Sequence, residues 1–184
     1  MTSPSADVSV RIAWADDAPA VAAVQLRAWP QMYGDLVPAD AFPSGPEAEA
    51  AVAEAWRATL GRPGDARQRV LVALERNLVV GYALTAPAAD PDTDPVADAE
   101  LSDLTVDPGA RGRGHGSRLL QAAVDTVRAD RFTRAVLWAV STDDVLRSFL
   151  VAAGWAPDGA HRELDLTGDA TTVVRQVRLH TALG

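Results

Sequence analysis

The stretch Leu104-Thr105-Val106-Asp107-Pro108-Gly109-Ala110-Arg111-Gly112-Arg113-Gly114-His115-Gly116 limits the possible folds more than any other part of the chain. The residues before it, 99–106, have the pattern of a strand. Those after it, 114–129, predict a helix with Leu120, Val124 and Val127 on one face. The continuous apolar run 135–140 then predicts a central strand covered on both sides. Strand, glycine-rich turn, helix and strand make one crossover unit of a mixed sheet. The turn also has chemistry of its own. Glycines at 112, 114 and 116 let the backbone come close to a ligand. Unpaired N–H groups at a helix start attract anions. Arg111, Arg113 and Arg118 add positive charge. These features point to a pyrophosphate cradle.

The rest of the chain supplies the other elements. Alternation over 8–13 predicts a first strand, and Asp16-Asp17 start a helix that should stop at Pro30. A second helix fits 46–60, closed by Gly61. Two strands, 69–75 and 78–86, should turn on Arg76-Asn77. Residues 86–98, rich in Pro, Asp and Ala, read as an exposed loop. A helix over 143–153 ends at Gly154, and strands 161–166 and 172–180 turn on Gly168-Asp169. The expectation is an α/β chain: a loose tail over 1–7, then one domain over 8–184 built on a mixed sheet of six to seven strands with about four helices.

Composition excludes several functions. The 17 basic residues, all arginine, face 25 acidic ones, for a net charge of −8. Such a chain should not bind nucleic acid or anionic membrane in general, so any polyanion must be held locally. Without lysine there is no Schiff-base nucleophile and no phosphate-loop lysine. Without cysteine there is no disulfide or thiolate chemistry, and His115, His161 and His180 are too scattered to predict a metal site. No signal-like start or membrane-length apolar run is present, which predicts a cytoplasmic protein. The missing lysine and the single Ile12 and Asn77 suggest a GC-rich bacterial genome.

The cradle is not a Walker loop, which needs Lys before Ser or Thr. It is not a dinucleotide fingerprint either, since Ser117 and Leu119 stand where the third glycine would fall. Its spacing is R-x-x-G-x-G, given by Arg111, Gly114 and Gly116, after a strand ending V-x-P at Val106 and Pro108. This resembles the coenzyme A signature of the GNAT superfamily of acetyl-CoA-dependent acyltransferases. Trp29, Tyr33 and Pro38 resemble the W-x-x-x-Y…P stretch of bacterial members. Phe149, Gly154 and Trp155 resemble its F-Y-x-x-x-G-F motif, and Val177-Arg178-Leu179 its last strand.

The resemblance implies the GNAT fold and acetyl transfer from acetyl-CoA to a primary amine on a small molecule, peptide or protein. It implies that the pantetheine arm pairs with Leu104, Thr105 and Val106. The pyrophosphate would rest on Arg111, Gly112, Arg113, Gly114, His115, Gly116 and Ser117, with Phe149 and Asp143 nearby; Asp143 stands where the family has asparagine. Glu100, eleven residues before Arg111, occupies the place of the catalytic glutamate in the histone-acetylating branch, and Asp103 is a second candidate base.

The sequence departs from the family at Leu150, which stands in place of the motif's tyrosine, a group expected beside the departing sulfur. Tyr33 or Tyr82 could supply the proton instead, or the thiolate could leave unaided, since a thiol has a pKa of about 8.5. Trp29, Tyr33 and Trp56 would line the acceptor pocket or serve as core or homodimer-interface aromatics, Trp56 in the core and Tyr33 in a pocket loop. Trp138 and Trp155 read as core, and the aspartates of 90–103 as a solvated charge run. Other readings are a non-catalytic acetyl-CoA sensor and an enzyme for longer acyl-CoA.

Overall fold

The computed structural model describes residues 7–184. The predicted tail, 1–7, lies outside the described residues except for Asp7, whose carbonyl accepts from Arg76 N–H at 2.9 Å. Seven strands form one sheet in the order β1-β2-β3-β4-β5-β7-β6. They are β1 (Val8–Ile12), β2 (Arg69–Glu75), β3 (Leu78–Pro87), β4 (Asp98–Val106), β5 (Arg134–Val140), β6 (Ala156–Asp165) and β7 (Val173–Ala182). The four helices are α1 (Ala18–Tyr33), α2 (Gly45–Gly61), α3 (His115–Ala129) and α4 (Asp144–Ala152). All neighbouring strands are antiparallel except β4 and β5, the two joined by the predicted crossover.

Each face of the sheet has its own apolar cluster. Under α3, Leu119, Leu120, Ala123 and Val127 pack on Leu71, Ala83, Leu101 and Leu137. Under α1 and α2, Val21, Val24 and Trp56 pack on Val70, Val72 and Tyr82. The Trp56 and Tyr82 rings meet edge to face at 5.0 Å, and Trp56 Nε1 donates to Gln25 Oε1. Trp56 and Trp155 are buried, as the sequence suggested. No helix among the described residues is long and apolar enough to cross a membrane.

Three local expectations need correction. The first helix does not stop at Pro30 but carries it inside and runs on to Tyr33. An internal proline costs about 3 kcal/mol through a lost hydrogen bond and a ring clash. Burial of Ala18, Val21, Val24 and Ala28 on the same helix offsets that cost. Tyr33 is therefore the last residue of a helix, not part of a loop. Strand β6 begins at Ala156, five residues before the predicted start, because the strand continues through a register shift between Pro157 and His161. Trp138 is only half-buried: the guanidinium carbons of Arg162 and Arg178 lie 4.4 and 5.4 Å from its ring centroid.

Candidate active site

The parallel ladder between β4 and β5 is short. It runs from the Asp98–Arg134 pair to the Leu101–Leu137 pair and stops there. Beyond it, β4 still pairs with β3 as far as Val106 opposite Gly81, so its β5-facing edge is free. A cleft of about 610 Å³ opens where the strands part. Leu104, Thr105 and Val106 line it from β4, and Val140, Thr142 and Asp143 from the end of β5 and the turn after it. Phe149 and Leu146 of α4 and Met32 of α1 close it with apolar surface. A second hollow, about 450 Å³, lies between Gly64, Gln68, Pro87 and Thr93 and contains none of the predicted residues.

The glycine-rich turn forms one end of the cleft, which is lined by Arg111, Gly112, Gly114, His115, Gly116 and Ser117. Gly112 and Gly114 have φ of 75° and 81°, so L side chains there would be strained. Gly116 is different. A methyl placed on it would lie 3.8 Å from Phe149 Cζ and from Val106 Cγ2, an ordinary contact. Nothing in the protein's own packing demands glycine there, so the missing side chain leaves open space in the cleft. Among the described residues, the N–H groups of His115, Gly116 and Ser117 find no acceptor, and they carry the positive end of the α3 dipole.

The side chains around the turn are committed elsewhere. His115 Nε2 lies 2.9 Å from Glu75 Oε2, and its ring is 1% exposed, which leaves the backbone to meet the cleft. Arg113 Nη1 donates to both Glu75 oxygens at 3.0 Å, and Arg118 Nη1 donates to the Arg113 carbonyl. His115 first, and then Arg113, hold the Glu75 carboxyl below its ordinary range against the effect of burial. Arg111 reaches to α1, donating to Gln31 Oε1 at 2.9 Å. Asp143 caps α4 by accepting from Leu146 N–H at 2.9 Å.

A β-bulge sits within β4, between Glu100 and the cleft-lining residues 104–106. Ser102 pairs with Leu84 and Thr105 with Tyr82, so Asp103 and Leu104 together oppose Ala83. Asp103 adopts φ 55°, a conformation seldom taken by non-glycine residues. Its carboxyl meets solvent but is surrounded by protein mass, and this desolvation raises its pKa. Burial raises the Tyr33 hydroxyl first, and the nearby Asp103 and Asp143 charges raise it further. Tyr82, 1% exposed, is also raised, again first by burial.

Glu100 is on the side of β4 away from α3 and does not line the cleft. Burial raises its carboxyl, while Arg162, with Nη2 3.9 Å from Oε1, pulls it down. The aspartates read as a solvated run are partly structural. Arg178, 4% exposed, pairs with Asp90, Asp92 and Asp158, and Asp90 accepts from Trp138 Nε1 at 2.9 Å. Leu150 is fully buried in the core under α3 and does not line the cleft. Among the described residues no group of three His, Cys, Asp or Glu could hold a metal.

The sequence did not point to Gln31, Met32, Val145 or Leu146 as cleft residues. One signal was available. Four apolar residues of α4, Val145, Phe149, Leu146 and Leu150, span an arc of about 140° at 100° per residue. That is wider than a core stripe needs, and Val145, 83% exposed, lies at the end of the arc facing the cleft.

The pattern of the acetyltransferase (GNAT) family matches residues 28–155. No curated protein matches the sequence. Solved structures with the same fold include an N-acetyltransferase from Staphylococcus aureus Mu50, at TM-score 0.71 and 18% identity over 97% of this chain and 99% of that one. Another is yncA from Salmonella typhimurium with its cofactor acetyl-CoA, at TM-score 0.70 and 18% identity over 97% and 95%. A third is a paia N-acetyltransferase from Thermoplasma acidophilum in complex with coenzyme A, at TM-score 0.67 and 15% identity over 96% and 99%. With a family match over most of its length and the fold to go with it, the chain belongs to the GNAT family of acetyltransferases and is an enzyme of the acyltransferase class.

Proposed function

We propose that the chain transfers an acetyl group from acetyl-CoA to a primary amine by direct attack, within one domain spanning 8–184. The observation that carries this reading is the parting of β4 and β5, with unpaired α3 amides at one end of the cleft. The residues fit the cosubstrate. The free β4 edge at Leu104, Thr105 and Val106 offers backbone partners to an amide-containing arm. Arg111, Gly112, Gly114, His115, Gly116 and Ser117 line the end that would take its phosphates, and Arg113, whose guanidinium is held by Glu75, lies in the same turn. Phe149 and Asp143 stand at the wall between. When bound, acetyl-CoA supplies the activated thioester.

Three tasks fall to the protein. The acceptor, an ammonium with a pKa of about 10.4 when lysine-like, must lose a proton. Glu100 takes this role through water. Its burial-raised carboxyl is a stronger base than a free one, and Asp103 is the alternative on the same strand. The oxygen of the thioester gains negative charge, which a β4 N–H can stabilise. The departing sulfur takes a proton from Tyr33, whose raised pKa keeps it protonated.

Thiol release with acetyl-CoA across a panel of amines tests the reading. Turnover with at least one primary amine is expected. Tight acetyl-CoA binding with no turnover on any amine would make the chain a binding module instead.

A further inference from the structure

Arg162 has an unusual set of contacts. It projects from β6, and its Nε donates to Gln176 Oε1 of β7 at 2.8 Å. Its guanidinium lies against the Trp138 ring. These two contacts fix the planar group in place, yet among the described residues its terminal nitrogens make no hydrogen bond. Nη1 lies 3.6 Å from Asp90 Oδ1 and Nη2 lies 3.9 Å from Glu100 Oε1, both beyond bonding distance. Arg178 is the opposite case: it is buried and bonded to three carboxylates, so its charge is already used. Two arginines therefore sit over one tryptophan. One secures the loop after β3, and the other is held at a set distance from Glu100.

We propose that Arg162 is a positioning residue that holds Glu100 in its ionised, proton-accepting form; its catalytic consequence rests on the reading of Glu100 as the base. Burial works against ionisation of a carboxylate on a sheet face, and the charged groups facing Glu100 differ in sign. Asp90 on the loop after β3 and Asp103 on β4 oppose its negative charge, while Arg162 on β6 and Arg178 on β7 favour it. Arg162 is the nearest of the cations, and it approaches without bonding. A bonded arginine would occupy one of the carboxylate lone pairs and hold the charge more strongly against protonation. An arginine at 3.9 Å gives the field and leaves the oxygen free. Trp138 and Gln176 have the task of keeping that distance.

The test uses the full chain with carbon-13 in its glutamate carboxyls, with the Glu100 signal assigned by its loss in Glu100→Gln. The Glu100 titration and the pH profile of kcat/KM are followed in wild type, Arg162→Gln, Arg162→Lys and Gln176→Leu. Arg162→Gln should move the Glu100 titration upward by about one pH unit. The rising limb of the rate profile should move with it. Arg162→Lys should restore most of the wild-type value, and Gln176→Leu, which frees the guanidinium, should fall between. Acetyl-CoA affinity should not change in any of them. An unmoved Glu100 titration in both Arg162→Gln and Gln176→Leu overturns the proposal and leaves Arg162 as a cover for Trp138. A moved titration with an unmoved rate limb upholds the control of Glu100 by Arg162 and removes Glu100 from the role of base.

Discussion

Gly116→Ala separates folding from binding at a single atom. The added methyl meets Phe149 and Val106 at 3.8 Å, so nothing in the protein has to give way. In the first turn of α3 alanine is the better helix former, and the exchange should stabilise the fold by up to about 1 kcal/mol. For a chain of this size, that corresponds to a rise of roughly 2–4 °C in Tm. The ligand meets the opposite situation. The methyl occupies the space in front of the unpaired α3 amides and should cost at least one charge-assisted hydrogen bond, about 1.5–3 kcal/mol. Acetyl-CoA should then bind roughly 10- to 100-fold more weakly. Calorimetric titration and a thermal melt of the same sample give both numbers. Unchanged affinity with a raised Tm would show that the amides at the start of α3 do not hold the phosphates. A Tm lowered by several degrees would refute the open space described around Gly116.

Glu100→Gln should lower kcat by about 10-fold or more and flatten the rising limb of the pH profile. It should also stabilise the fold near neutrality. A carboxyl raised on folding contributes stability that is full below its unfolded pKa and is lost as pH rises through the folded value, so the Tm advantage of the glutamine variant should grow from acid to neutral pH. Tyr33→Phe should slow single-turnover chemistry while leaving acetyl-CoA affinity intact; an unaltered rate would mean that the thiolate leaves without a tyrosine donor. Leu150→Tyr should bring no gain in rate and should destabilise by about 1–3 kcal/mol in chemical denaturation, because the position is packed core. A faster variant of normal stability would place residue 150 at the cleft after all.

What the sequence made legible was local. Gly112 and Gly114 announce left-handed backbone, and both have it. Arg76-Asn77 announces a tight hairpin turn, and both residues take positive φ between β2 and β3. Pro30 misled because a proline's cost is visible in sequence, while the burial along α1 that outweighs it is set by tertiary packing. The tyrosine missing at 150 suggested altered chemistry, but the structure shows a core leucine, since the rotation of α4 decides which of its apolar residues meet the cleft. The cluster around Trp138 joins residues far apart in the chain, with separations of 48 to Asp90 and 86 from Arg178 to Asp92, and no short-range pattern encodes such pairs.

The bulge at Asp103 acts as a frameshift in the strand's alternation. Odd positions, Ala99 and Leu101, face the α3 core before it, and even positions, Leu104 and Val106, face that core after it. Glu100 and Thr105 thus share the other side although their numbers differ in parity. Removing the extra residue at 103 would restore strict alternation and leave every other side chain on its present face, with Leu104 still toward the core and Thr105 still on the other side, but it would take out the bend that the bulge puts between Glu100 and the cleft. The geometry between the cofactor cleft and Glu100 therefore depends on a count of residues as much as on their identity, and homologous chains can be aligned across this strand only if the extra residue is placed at 103.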